Sequence, residues 1–544
     1  MWKIITKYIK AGKISDFKES SKSIKHILKG ALVDFSSSRF FRCFSYLSWL
    51  IKDRKRQHKI VEASEHKFAI IYFYQDKFSK LKFAQFERSL KKQIYKNYSV
   101  FIALDNLSNI LDEIYQKKCT HICFVEQGDL ISNHALSSIV CAISKYPDTE
   151  LIYSDEDIRN FLGFRYNAYF KPQYAPFLLW SHNYINALLT VKVQSSIFSK
   201  LKNIDKLSQA ELYKFILEIT RDKLNIHRIS DILYHRSYGN YRKLKNTSTQ
   251  KIVEAELIQR NLNAEILKNS PKSYNILKFK PENNPKVSII IPFRDKIDVL
   301  KNCVDSIEQK STYKNYEIIL VNNRSQNQDT LDYLEIIKHK VIDADMDFNF
   351  SKLNNMAVNV AEGEYIVLLN NDIEVISPDW IESSLGLAQL DHVGVVGAKL
   401  LYPNNRIQHV GMVKRRNGDL CHVNIKVHSR KAGYKNYNRL IREFMCLTGA
   451  CIMVSKAKYL EVGGLNENLA VECNDTDFCF KLLEAGYYNL YNPHCILYHF
   501  ESLSRRGVCE SSISQEKSYQ IETWKKYLED DIFYNTNFAG RYFC

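Results

Sequence analysis

Three short clusters in the 544-residue sequence carry side chains suited to chemistry. LLNNDIEV (368–375) ends an apolar run with two amides and a carboxylate. A hard divalent cation takes few protein carboxylates and fills its shell with water and substrate phosphates, so Asp372, helped by Asn370, could hold a metal-bound nucleotide. The same residue types also make ordinary turns after strands. LAVECNDTDFCFKLLEAGY (469–487) puts Asp475 and Asp477 at the start of an apolar-periodic helix. Neighbouring carboxylates raise each other's pKa, which suits a base that takes a hydroxyl proton near neutral pH, while acidic first-turn residues also serve as plain helix caps. LYHFESLSRRG (497–507) joins His499 to Arg505 and Arg506. It offers an imidazole for a metal and paired guanidinium groups for phosphate, or else a solvated basic loop.

These clusters need a scaffold, and the hydrophobic pattern supplies an α/β one. From Val287 onward the apolar runs VSIIIP, YEIILVNN and EYIVLLNND alternate with helix-periodic stretches such as DKIDVLKNCVDSIEQK and LNNMAVNVA. Strands this apolar are buried on both faces, which predicts a parallel sheet covered by helices, with its ligand crevice at the carboxyl ends of the strands. The residues there are Pro292, Asn322 to Ser325, and Asn370 to Asp372. An earlier set of short strands, FAIIYFY (68–74), YSVFIAL (98–104) and HICFVEQ (121–127), has the same character, and FVEQGDL parallels LLNNDIEV. An internal duplication is therefore expected. The predicted boundaries are a basic amphipathic helical segment (1–65), a first α/β domain (66–245), a linker (246–285) and a second α/β domain (286–544).

Composition excludes several classes. With 45% hydrophobic and 25% charged residues the chain is globular, neither disordered nor collagen-like. No run reaches the roughly 20 apolar residues of a spanning helix, and the N-terminus lacks a signal-peptide pattern, so the expected location is the cytoplasm. The formal charge is +17, but residues 1–60 hold 15 basic and 4 acidic residues and so account for +11 of it. That local patch beside FFRCFSYLSWL suits an anionic membrane surface at the inner face of the cytoplasmic membrane, or a solvated helical face. Nucleic acid is not an expected partner, because no basic-aromatic stripe crosses the strands. The 13 cysteines include no C-x-x-C pair and read as reduced core thiols.

Residues 285–510 resemble glycosyltransferase family 2 domains of the GT-A fold, of the bacterial O-antigen and capsule type. The similarity runs in order through PKVSIIIPFRDKIDVLKNCVDSI, YEIILVNNRS, FNFSKLNNMAVNVAEGEYIVLLNNDIEVISPDWIE, VGVVGAKLLYPNNRIQHVGMV, LTGACIMVSK, VGGLNENLAVECNDTDFCFKLLEAGY and LYHFESLSR. By position the resemblance implies a metal-binding turn at Asn370, Asn371 and Asp372, a base at Asp475, a late metal ligand at His499 and diphosphate contacts at Arg505 and Arg506. Pro292, Asn322, Asn355 and Asn371 fall to the nucleotide-sugar pocket. The implied activity is inverting sugar transfer from a nucleotide-diphosphate sugar to a glycan or lipid-linked glycan, with manganese or magnesium as cofactor. Asn322, Asn370 and Asn474 stand where the family has acids. That pattern supports the alternative of a non-catalytic glycan-binding or scaffold protein. Residues 66–240 resemble the same domains in degenerate form, with the metal turn at Glu126, Gln127 and Gly128, its second carboxylate missing, and with Ala210 and Leu212 where acids are expected. Asp129 and His235 remain.

Overall fold

The computed structural model describes Tyr46, Trp49, Leu50 and residues 64–74, 77–103, 107–204, 206–414, 419–500, 510–535 and 537. Most of the basic segment 1–65, with its expected amphipathic helix, lies outside these residues. The apolar runs form strands as their pattern predicts. In the first half they are β1 (Phe68–Phe73), β2 (Tyr98–Ala103), β3 (His121–Glu126), β4 (Leu130–Ile131), β5 (Leu151–Arg159), β6 (Arg165–Tyr169), β7 (Thr190–Lys192) and β8 (Ile226–Ser237). Every residue of β1 and β3 is buried, as central strands covered on both faces require. The hydrogen-bonded order is β2-β1-β3-β7-β5-β8-β4, with β6 beside β5.

The second half repeats this plan. After β9 (Ala264–Ile266) and β10 (Leu277–Phe279) come β11 (Val287–Phe293), β12 (Tyr316–Asn322), β13 (Lys340–Asp343), β14 (Tyr365–Leu369), β15 (Ile373–Val375), β16 (Val393–Leu401), β17 (Ile407–His409), β18 (Met412–Lys414), β19 (Leu420–His422), β20 (Arg442–Phe444), β21 (Cys451–Ser455) and β22 (Tyr488–His499). The main sheet runs β13-β12-β11-β14-β21-β16-β22-β15. Setting β12, β11, β14, β21, β16, β22 and β15 against β2, β1, β3, β7, β5, β8 and β4 reproduces both order and strand direction. The expected parallel pairing holds for β13, β12, β11 and β14 and again for β16 with β22. β21 enters antiparallel to both of its neighbours, so the sheet is mixed.

The stretch read as a linker is folded. It contains a helix, Gln250–Gln259, and the antiparallel β9–β10 pair, and it packs Leu277 and Phe279 into the core. Asn275 N–H donates to Ser181 O at 2.7 Å, and His494 Nε2 lies 2.8 Å from Leu277 O, so this segment ties both halves together. A single apolar core crosses the seam. Polar contacts fix its register: Phe170 N–H donates to Tyr434 Oη at 3.0 Å, Asn535 Nδ2 to Asp155 Oδ2 at 2.8 Å, and Phe177 N–H to Glu443 Oε1 at 2.6 Å.

Burial pushes the Glu443 carboxyl from its ordinary 4.5 up to about 7. A raised acid stabilises the fold fully below the unfolded value and loses that contribution as pH rises through the folded value. Glu443→Gln keeps an acceptor for Phe177 and removes the charge. Its thermal midpoint should match the parent near pH 4 and exceed it at pH 8, by up to about 3 kcal/mol in stability. Equal midpoints at both pH values would show that Glu443 is not held protonated at the seam.

Candidate functional site

The carboxyl edge of the second sheet assembles three of the sequence-derived residues from distant segments. Asn370 and Asp372 lie in the turn between β14 and β15, and the antiparallel pairing of Ile373 with His499 brings the end of β22 beside them. Asp372 is buried, and its Oδ1 sits 3.1 Å from His499 Nε2. Gln408, on β17, fixes that imidazole: its Oε1 lies 2.7 Å from His499 Nδ1 while its Nε2 donates to His499 O. Nδ1 therefore donates to Gln408, and Nε2 faces Asp372 Oδ1, with Asn370 Nδ2 also 3.3 Å from it. Asp372 Oδ1 has no other hydrogen-bond partner among the described residues. With Nε2 protonated the two form an ion pair, and with Nε2 unprotonated they are two acceptors that a cation can join. A histidine whose far nitrogen donates to a fixed acceptor has the outer-sphere support typical of a metal ligand. Among the described residues no three His, Cys, Asp or Glu side chains are grouped so as to hold a metal ion. Asp372 and His499 would thus be the two protein side-chain ligands, with water and substrate oxygens as the others, the pattern of a nucleotide-bound hard cation.

Asp475 joins this edge through the backbone. It lies in the first turn of the helix Asn474–Glu484, and its Oδ2 accepts Gly449 N–H at 2.8 Å. Gly449 precedes Ala450, whose carbonyl accepts Asn370 N–H at 3.0 Å. An added Cβ at position 449 would stand 3.2 Å from Asp475 Cβ, so a side chain there would push Asp475 by a few tenths of an ångström. Cys473, at the helix start, makes no side-chain cap bond; Asp475 Oδ1 accepts Thr476 N–H at 2.7 Å in its own first turn, so Asp475 both caps the helix and reaches out to Gly449. The expected carboxylate pair is not formed. Asp477 turns inward, fully buried, and accepts Trp524 Nε1 at 2.9 Å with Lys481 Nζ at 3.4 Å.

The nucleotide-side residues divide. Pro292 is half-buried in β11, and Asn371 is half-buried in the β14–β15 turn. Asn322 closes β12, where its Nδ2 donates to Asp343 Oδ1 at 2.8 Å and its Oδ1 accepts Ser325 N–H, so it shapes the loop at the crevice edge. Asn355 is held by protein partners. Its Oδ1 accepts Tyr459 Oη and Leu465 N–H, and its Nδ2 donates to Leu465 O and Glu467 Oε1, so it clamps the loop after the helix Lys456–Glu461. Arg505 and Arg506 lie outside the described residues. Sequence reasoning missed Gln408, Gly449 and Asp343. The first two stand inside quoted motifs, IQHVG and LTGA, but their roles come from contacts across 91 and 26 residues of chain.

The first half answers the same position differently. Its β4 pairs with β8 through Leu130 and His235, as β15 pairs with β22 through Ile373 and His499. Register thus makes Asp129 the counterpart of Asp372, one residue beyond the turn assigned from sequence, and the carboxylate thought missing is present. It is fully buried and accepts Tyr234 Oη (2.7 Å), Ser237 N–H (2.7 Å) and Asn240 Nδ2 (2.8 Å). Opposite it stands Arg236 where the second half has Phe500. The buried Arg236 guanidinium lies 2.8 Å from Glu156, 3.7 Å from Asp129 and 3.8 Å from Glu126. Although burial raises Glu156, Arg236 outweighs it and holds that carboxyl down to about 2. Burial and Asp129 together push Glu126 up to about 7. His235 turns from the turn to Asp157 at 2.7 Å, and Gln209 and Ala210 open the helix that matches Asn474–Glu484.

Residues 288–463 match the family described as Glycosyl transferase family 2. The chain is 33% identical over 441 residues to the uncharacterized protein y4gI of Sinorhizobium fredii (strain NBRC 101917 / NGR234), covering 77% of this chain and 48% of that protein. It is 30% identical over 403 residues to the O-antigen biosynthesis protein RfbC of Myxococcus xanthus, covering 71% of this chain and 31% of the relative. A 149-residue stretch is 28% identical to the poly(ribitol-phosphate) beta-glucosyltransferase of Bacillus spizizenii (strain ATCC 23059 / NRRL B-14472 / W23), covering 26% of this chain and 23% of that protein. The chain thus spans about half or less of the length of these curated relatives.

If Gln408 orients a metal-ligating imidazole, Gln408→Leu should weaken manganese binding about 10- to 100-fold in calorimetric titration without unfolding the protein. Unchanged affinity would remove the Gln408–His499 contact from the site.

Proposed function

From the premise that the chain carries a glycosyltransferase family 2 domain, we propose that its second half is an inverting glycosyltransferase acting on a nucleotide-diphosphate sugar. The observation that carries this reading is the facing pair of Asp372 Oδ1 and His499 Nε2, set on the same crevice as Asp475. A manganese or magnesium ion held by Asp372 and His499, with Asn370 beside them, would neutralise the charge on the departing diphosphate. Asp475, anchored by Gly449, takes the proton from the acceptor hydroxyl as that oxygen attacks the anomeric carbon from the face opposite the leaving group. Pro292, Asn322 and Asn371 border the nucleotide, and Arg505 and Arg506 supply cationic contacts to the diphosphate.

The first half is read as a non-catalytic copy, supported by Arg236 in the place of an exchangeable cation and by Ala210 in the place of a base. The acceptor is a growing surface polysaccharide or lipid-linked glycan, a reading supported by the O-antigen biosynthesis protein among the relatives. No helix among the described residues is long and apolar enough to cross a membrane. Attachment to a lipid-borne acceptor at the inner face of the cytoplasmic membrane is assigned to segment 1–65 on its basic and aromatic composition.

Incubation with a panel of nucleotide sugars and manganese should release nucleoside diphosphate from one donor, and chelator should stop it. Asp475→Asn should lower that turnover about 10²- to 10⁴-fold while donor affinity stays near the parent value. An active Asp475→Asn enzyme would remove the residue from the mechanism, and no release from any donor would favour a glycan-binding role. Deleting residues 1–60 should reduce sedimentation with anionic vesicles, and unchanged sedimentation would refute the membrane role.

A further inference from the structure

A recess opens at the seam between the halves, walled by Phe170, Tyr434, Tyr437, Phe533 and Tyr534, with Arg442 among its lining residues. Arg442 is only 5% exposed. Its guanidinium carbon lies 3.8 Å from the ring centre of Tyr437 and 4.8 Å from that of Phe444, yet its Nε has no hydrogen-bond partner and it forms no ion pair among the described residues. Glu443, the next residue, acts on it only through space: it accepts Phe177 N–H and makes no ion pair with Arg442. Asp155, below the recess, is already committed to Asn535 Nδ2 and Lys171 N–H. A buried cation is normally paired. One stacked on aromatic faces with no ion-pair partner among the described residues, lining a narrow recess, can meet a small anion from outside.

We propose that this recess takes the anionic group of an acceptor glycan, a carboxylate or phosphate on the Arg442 guanidinium, with the rest of the glycan lying outside it. Position supports it. Val423, also in the lining, follows His422, whose Nδ1 is 2.8 Å from His409 Nδ1, and His409 follows Gln408, which holds His499. The recess is therefore joined by one short run of contacts to the metal-side cluster. Arg suits this task because its planar fork meets a carboxylate or phosphate with two parallel bonds, which lysine cannot do.

The assignment of the anion to an acceptor rests on the glycosyltransferase reading, but the binding does not, so the test uses no donor and no metal. Full-length protein is titrated at constant ionic strength with sodium glucuronate, inorganic phosphate and, as neutral control, glucose. Both anions should bind the parent and Asp372→Asn alike. Affinity should fall about tenfold or more in Arg442→Met and by a smaller factor in Arg442→Lys, which keeps the charge and guards against a folding defect. Glucose should show no dependence on residue 442. Tighter glucuronate identifies a uronic acid as the source and tighter phosphate a phosphate-bearing glycan or lipid carrier; either supports the site. Absence of anion binding, binding indifferent to Arg442→Lys and Arg442→Met, or binding lost in Asp372→Asn would overturn it.

Discussion

A carboxylate buried at the carboxyl edge of a sheet must be neutralised, and the two halves of this chain meet that demand in opposite ways. In the first half the chain supplies the cation itself: Arg236 sits among Glu156, Asp129 and Glu126, and Asp129 is further held by three donors. Removing one member of such a buried charged set typically costs about 3–5 kcal/mol, so that site is closed and structural. In the second half Phe500 stands where Arg236 would, and Asp372 Oδ1 has only the His499 imidazole beside it. No fixed guanidinium fills that place, so under the proposed function it is open to a cation from solution. Two sheets of one topology thus differ in chemistry through the residue that follows a histidine.

The rest of the structure holds this difference in place. Gln408 sets the His499 tautomer, and Gly449 links Asp475 to the strand beside Asn370. Asp477, two residues from Asp475, anchors Trp524 of the C-terminal segment. That segment continues to Asp531, which accepts Lys414 N–H, and to Asn535, which binds Asp155 of the first half. The acidic helix start, the seam and the first-half carboxylate site are therefore mechanically continuous, and the first sheet contributes a wall and an anchor.

Much of this was legible in the residues. Buried strands, their alternation with helices and the order of the three chemical clusters follow from local pattern, and Asp372, His499 and Asp475 do come to one edge. What escaped was set by pairing between distant segments. The one-residue shift that makes Asp129 the partner of Asp372 exists only in the register of β4 against β8. Asn355 has a chemistry equally suited to a ligand or to a loop clamp, and only the position of Tyr459 and Leu465 decides it. The prolines and asparagines of 246–285 resemble a flexible connector, yet Leu277 and Phe279 find apolar partners on both sides and fold it. The Asp475–Asp477 pair, adjacent in sequence, is separated because the helix turns the two side chains to different neighbours.

The central claim, one cation site open and its twin filled by the chain, is tested most directly by counting bound manganese per full-length chain with electron paramagnetic resonance. The account predicts one ion, lost in Asp372→Asn and retained in Asp129→Asn. Two ions per chain, or one that disappears with Asp129→Asn and survives Asp372→Asn, would contradict it.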